Sequence, residues 1–223
     1  MKLLTLFVTT SVSTIVLGCH AAGTTGDRLP DPSTSTAAAL PARVGSDPGR
    51  VTAHGRLTPA GHNRLAAFAA GCFWGVEDAF RHVPGVVATA VGYAGGHTTD
   101  PNYDKVCTHT TGHAETVLIE FDPARVPYEH LLRVFWKIHD PTQVGGQGPD
   151  EGDSYRSIVF TFDDDEAASA RASLVAEQKH LASPITTEVR PVASFYLAEA
   201  YHQQYSERTG RHGCPVRVPV DNL

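Results

Sequence analysis

A short apolar run, Arg64 to Ala70, meets a helix-patterned segment, Val76 to Val83, across the turn Gly71-Cys72-Phe73-Trp74-Gly75. This junction constrains the fold more than any other stretch of the chain. Val76, Ala79, Phe80 and Val83 recur at helical spacing, Glu77 and Asp78 fall in the first turn, and Pro84-Gly85 stops the helix. Cys72 therefore stands where a strand ends and a helix begins. Unpaired backbone N–H groups and the positive end of the helix dipole stabilise an anion at such a point. The expectation is a thiol of lowered pKa and raised reactivity. A buried structural cysteine needs neither the glycines around it nor the two aromatics after it. A nucleophilic thiolate beside an aromatic pocket needs both.

The rest of the chain reads as an α+β domain. Val86 to Tyr93 and His113 to Phe121 have strand character, and Glu115, Val117, Ile119 and Phe121 share one face by period two. Pro127 opens a helix to Ile138 whose stripe is Leu131, Leu132, Phe135 and Ile138. Asp140 to Asp153 is expected as a loop and Arg156 to Phe162 as a strand. Asp163 to Asp165 open a helix to about Leu181. Ile185 to Phe195 is expected as one strand, and Ala198 to Glu207 as a short helix, with an irregular tail from Gly210 onward. Strands and helices do not alternate strictly, which favours two layers over a doubly wound parallel sheet.

The N-terminal part has a different character. Lys2 precedes an apolar run, Leu3 to Leu17, too short to span a bilayer comfortably but suited to a signal peptide. It ends Val16-Leu17-Gly18-Cys19, which resembles the lipobox of bacterial lipoproteins, cut before a cysteine that is then acylated. Residues 1–18 are thus expected to be removed, and Cys19 to carry a membrane anchor of several acyl chains. Residues 19–61 are rich in Ala, Thr, Ser, Pro and Gly and bury too little to fold alone, so they read as a flexible linker. Residues 62–223 form the folded domain. The expected location is the periplasmic side of the bacterial cell envelope.

A net charge of -6 argues against nucleic acid as a partner. The chain has four cysteines. Once Cys19 is lipidated, Cys72, Cys107 and Cys214 remain. An odd number in an exported protein argues against a static disulfide framework and for a free or redox-active thiol. Met1 is the only methionine and leaves with the signal.

Segments along the chain match one family in order: GCFWGVE, VGYAGGHTTDPNYDKVCTHTTGHAETV, VFWKIHDPTQ, SYRS and AEAYHQQY. From about Leu65 to Cys214 the sequence resembles peptide methionine sulfoxide reductase A. The resemblance implies a two-layer α/β sandwich with a mixed, mainly antiparallel sheet, related to the ferredoxin-like plan and ending in a long irregular tail. It implies reduction of the S epimer of methionine sulfoxide, free or in peptides. No metal or organic cofactor is expected, and neither is an oligomer. A thioredoxin-like protein is the expected reductant.

It also implies roles. Cys72 attacks the sulfoxide sulfur. Glu115 of the GHAE motif supplies a proton, and a carboxyl turned to apolar surroundings would keep that proton near neutral pH. Tyr103 and Tyr155 bind the sulfoxide oxygen. Phe73 and Trp74 cage the methyl and thioether stem. Asp150 falls at the family's loop aspartate, with Glu151 and Asp153 as competing assignments. Cys214 is the resolving cysteine that condenses with the sulfenic acid on Cys72. No second tail cysteine follows, so the reductant would attack the Cys72–Cys214 bond directly. Cys107 is given a mainly structural role and His113 a positioning one. Two other readings remain open here: a thiol enzyme acting on peroxides, and a zinc-binding surface lipoprotein using Cys107, Cys214, His109, His113, His202 and His212. The second lacks any pair of ligands at standard spacing.

Overall fold

A computed structural model describes residues 59–211, 213, 214, 216 and 217. The expected signal segment, Cys19, most of the linker and His212 lie outside the described residues. The order of elements is β1 (Arg64–Ala70), α1 (Phe73–Arg81), β2 (Val86–Ala94), α2 (Tyr103–Val106), β3 (Ala114–Phe121) and α3 (Tyr128–Ile138). A small hairpin of β4 (Gly146–Gln147) and β5 (Asp150–Glu151) follows, then a 3-10 turn over Asp153–Tyr155. The chain continues through β6 (Ser157–Thr161), α4 (Asp164–Gln178), β7 (Glu188–Pro191), β8 (Phe195–Leu197) and α5 (Tyr205–Thr209).

The main sheet has six strands in the order β7-β6-β1-β3-β2-β8. Every neighbouring pair is antiparallel except β6–β7, which is parallel. This is the expected α+β architecture with a mixed, mainly antiparallel sheet. One expectation fails instructively. Ile185–Phe195 is not one strand: β7 and β8 lie on opposite edges of the sheet. Pro191 and Phe195 are only four steps apart in the chain, a reach of about 14 Å. The edges of a flat six-stranded sheet would be about 24 Å apart. The sheet must therefore curl until its edges approach.

Alternation along β1 explains how. Ala66, Phe68 and Ala70 face the helices, while Leu65, Ala67 and Ala69 face the inside of the curl. Small side chains (Ala67, Ala69, Ala94, Ala114) let the inner face close, and Phe160 and Phe195 fill it. On the outer face Phe68 is fully buried and stacks on Phe80 of α1 at 5.1 Å and on Phe135 of α3 at 5.2 Å. Truncating such a ring to Ala costs about 3–5 kcal/mol. α4 begins at its N-cap Asp163, which accepts from the Glu166 N–H, and packs outside α3.

Two further boundaries differ from expectation. α1 begins at Phe73, so both aromatics of the turn are helical. The expected helix from Ala198 starts only at Tyr205, because residues 201–204 form turns that end at left-handed Gln204, φ 47°.

Candidate active site

The site grows from the β1–α1 junction. Cys72 is the N-cap of α1, with φ -54° and ψ 119°. The two glycines around it have separate steric reasons. Gly71 has φ +95°, and a Cβ there would stand 2.7 Å from the Gln147 side chain. A Cβ on Gly75 would collide with the backbone carbonyl of Cys214, and one on Gly213 would stand 2.7 Å from Trp74 Cβ. The tail therefore lies directly on the first turn of α1, glycine against glycine. That contact brings Cys214 to Cys72.

Cys72 and Cys214 are both free thiols. Cys72 Sγ, Cys214 Sγ and a carboxylate oxygen of Asp150 all lie within 4.8 Å of one another. Asp150 is held there by its hairpin. Gln147 accepts from the Asp140 N–H at 3.0 Å and donates to the Asp140 carbonyl at 2.9 Å, and the Gly152 N–H donates to Gly145 at 2.8 Å. Of the three candidate loop acids, Glu151 is exposed and Asp153 pairs with Arg156 at 3.2 Å, so Asp150 is the one beside the sulfurs. The Asp150 carboxyl is pushed up by loss of water and drawn back by the Cys214 thiol, which hydrogen-bonds to it.

The lowered thiol pKa expected at a helix start is overturned. Cys72 keeps an open edge, but its sulfur is packed by protein. The hydrogen bond to Cys214, loss of water and the nearby Glu115 and Cys214 push the thiol well above its ordinary value. The helix start contributes one opposing hydrogen bond, from the Trp74 N–H. Burial and sulfur neighbours outweigh the helix terminus here.

Glu115 sits on β3 and is 3% exposed. It accepts from the Phe73 N–H at 3.0 Å, tying the strand to the turn one residue from Cys72. Phe73 is buried, and its ring lies 6.0 Å from Tyr93 and 5.0 Å from His202. Trp74 is half-buried, stacked on Tyr205 at 3.9 Å, and donates its indole N–H to His202 Nδ1 at 3.1 Å. Tyr103 opens α2 with its ring 4.5 Å from His202. Tyr155 ends the 3-10 turn, buried, with its ring 6.1 Å from His109. The described ring contacts thus join Tyr103 to the Phe73–His202 group, and Tyr155 lies instead on the Asp150 loop.

Sequence reasoning gave no site role to Tyr93 or Glu199 and placed His202 only among possible zinc ligands. Glu199 accepts from the Tyr93 hydroxyl at 2.9 Å and from the Tyr103 N–H at 2.9 Å, and His202 packs among four aromatic rings. Tyr93 pairs with Glu115 across β2–β3. Strand alternation could have found Tyr93. Nothing short of the turn at 201–204 reveals His202 as a wall of the site.

The suspected histidine–cysteine metal cluster does not assemble among the described residues. His113 accepts from the Gly96 N–H at 3.2 Å and donates to the Thr98 carbonyl at 2.8 Å, so both ring nitrogens are used structurally. Cys107 caps the end of α2, apart from the sulfur pair. A cavity of about 470 Å³ opens on Cys72, Cys214 and Asp150, with His139, Gln147 and Arg217 among its walls.

This arrangement can oxidise one thiol and pair it with a second, next to a buried carboxyl and a cluster of rings. Known proteins are similar to this chain in sequence and fold. The family model "Peptide methionine sulfoxide reductase" matches residues 64–222. A peptide methionine sulfoxide reductase MsrA of Geobacter sulfurreducens is 56% identical over 151 residues, 67% of this chain and 93% of that protein. Its counterpart in Methanosarcina acetivorans is 57% identical over 147 residues, 65% of this chain and 78% of that protein. Among solved structures, methionine sulfoxide reductase A of Corynebacterium diphtheriae superposes with TM-score 0.68 at 36% identity, covering 76% of this chain and 85% of that one. Reduced Mxr1 of Saccharomyces cerevisiae gives 0.67 at 33%, covering 72% and 93%. At this identity and span, the chain belongs to the peptide methionine sulfoxide reductase family, and its activity is the reduction of methionine sulfoxide.

Proposed function

We propose that Cys72 and Cys214 carry that reduction as a pair, and that the S epimer of free or peptide-bound methionine sulfoxide is the substrate. Cys72 Sγ attacks the sulfoxide sulfur and ends bonded to the oxygen as a sulfenic acid, while the S–O bond of the substrate breaks and methionine leaves. The thiol proton and the oxygen finish together as S–OH, with Glu115 carrying the proton between them and Tyr103 and Tyr155 steadying the oxygen. Phe73 and Trp74 hold the thioether. Cys214 then attacks the Cys72 sulfur, its proton passes through Asp150 to the departing hydroxyl, a disulfide forms and water leaves. A thioredoxin-like dithiol restores the thiols. The sulfoxide gains two electrons and the dithiol loses them.

The observation that carries this reading is the closeness of both sulfurs and Asp150, all within 4.8 Å. The test is stoichiometric. Without reductant, the intact enzyme should release one methionine per chain and acquire a Cys72–Cys214 disulfide, seen by peptide mass. Cys214→Ser should still release one methionine and stop as the sulfenic acid, and Cys72→Ser should release none. Multiple turnovers by Cys214→Ser with a thioredoxin-type reductant would remove Cys214 from the scheme. Preference for hydrogen peroxide over a sulfoxide peptide would favour a peroxide-reducing enzyme instead.

The N-terminal reading belongs with this proposal. Residues 1–18 serve as a signal peptide, Cys19 carries the lipid, and residues 19–61 tether a monomeric reductase domain to the envelope, on the periplasmic side. Support comes from the apolar run ending Leu17-Gly18-Cys19. In membrane fractionation, Cys19→Ser should move the protein from the detergent-requiring fraction to the soluble one.

A further inference from the structure

We propose that the reduced enzyme binds a soft divalent cation, Zn²⁺ or Cd²⁺, through Cys72 Sγ, Cys214 Sγ and one carboxylate oxygen of Asp150. These three atoms lie within 4.8 Å of one another and come from three separate segments, the cap of α1, the tail and the β4–β5 hairpin. In a tetrahedral site with metal–sulfur bonds of about 2.3 Å and metal–oxygen bonds of about 2.1 Å, ligand atoms stand about 3.5–3.8 Å apart. Side-chain rotation of about 1 Å closes that difference. Thiolates are the ligands that favour these ions.

The surroundings leave a fourth position for water. The cavity of about 470 Å³ opens on the same three side chains. His139, another of its walls, has both ring nitrogens engaged, with the Phe135 carbonyl and the Ser157 hydroxyl, each at 2.7 Å. The Gln147 amide is clamped to the Asp140 backbone. The described residues therefore supply three ligands and not four, the pattern of a site with an open position. Binding releases the two thiol protons to solvent and moves no electrons. Two thiolates and a carboxylate then surround a dication, and the sulfur that must attack the sulfoxide is occupied. The cation is thus a reversible brake on the reduced enzyme alone, since the disulfide form has no thiolate to offer.

The test uses the full chain, reduced, desalted and titrated with cadmium chloride without oxygen, reading the ultraviolet thiolate-to-cadmium charge-transfer band. The band should saturate at one ion per chain and vanish on adding a chelator. Cys72→Ala or Cys214→Ala should weaken binding about 100-fold, and Asp150→Asn about tenfold. Cys107→Ser and Cys19→Ser should leave the titration unchanged. The chain oxidised to the Cys72–Cys214 disulfide, which needs no substitution, should give no band. A band that persists in the oxidised chain, an affinity unchanged in Cys214→Ala, or a band that vanishes in Cys107→Ser overturns the site. Its failure is separable from that of the catalytic scheme. A chain that forms the disulfide under sulfoxide yet gives no band sinks only the cation site, and one that binds cadmium yet forms no disulfide sinks only the scheme.

Discussion

Two glycines, Gly75 and Gly213, let Cys214 reach Cys72, and neither is a nucleophile. Gly75 lies within α1, where Ala is a better helix former by about 1 kcal/mol. Its missing Cβ is where the Cys214 carbonyl passes. Gly75→Ala should therefore leave thermal stability equal or slightly raised while displacing the tail. Release of the first methionine should continue, and the disulfide should form at least about tenfold more slowly, a barrier change of about 1.4 kcal/mol. Quenched-flow alkylation with peptide mass reads both rates, and an unchanged disulfide rate would show that the tail docks some other way. The same neighbour governs the thiol. The hydrogen bond to Cys214 is the largest cause of the raised Cys72 pKa. In Cys214→Ala, the pH profile of Cys72 alkylation should move to lower pH, and a profile that stays in place would assign the shift to burial and Glu115.

At the scale of elements, α1 is bound to the segment that precedes the tail by a buried polar seam. Glu77 accepts from the Thr89 hydroxyl at 2.8 Å, the Gln204 N–H at 2.8 Å and the Gln204 side-chain amide at 3.0 Å. One turn on, Arg81 makes a two-pronged pair with Glu207, at 2.8 and 2.7 Å. The Arg81 side chain is 1% exposed and the Glu207 side chain 24%, so part of the pair meets water. Glu207→Ala should cost about 2 kcal/mol, below the value for a wholly buried pair, and slow disulfide formation as the tail loses its root. Urea unfolding checks the first effect. This seam was not legible in the sequence, because Gln204 and Glu207 lie more than a hundred residues from Glu77 and Arg81 and no local pattern pairs them. What was legible is local. β1, β3 and α3 follow from apolar periods of two or 3.6, and Asp163 announces α4. Period two could not say that Ile185–Phe195 changes edges, since the pattern is the same whichever strand it joins. The position of Cys72 at a strand–helix junction was readable. Its raised pKa was not, because the cause is a sulfur that arrives from the far end of the chain.

Across the whole molecule, buried acids and buried imidazoles set opposite pH responses. Loss of water raises Glu77 and Glu166 from their ordinary 4.5 to about 7. It lowers His139 and His202 from 6.5 to about 4. For each carboxyl the folded state holds its proton more tightly than the unfolded one. Its contribution is fully present below pH 4.5 and is lost as pH rises through about 7. For each imidazole the folded state holds its proton less tightly. Its contribution is present above pH 6.5 and is lost as pH falls toward about 4. Each shift corresponds to about 3 kcal/mol, and two of each sign oppose one another over the shared range. These four contributions should therefore nearly cancel between pH 4.5 and 6.5, and single substitutions should unmask a slope. Glu77→Gln should make the chain lose stability on acidification, by up to about 3 kcal/mol relative to the parent, and His139→Gln should make it gain. Urea midpoints at several pH values test this. Variant curves that run parallel to the parent, merely displaced, would mean that these groups titrate as they do in the unfolded chain and that burial does not set the acid response of the fold.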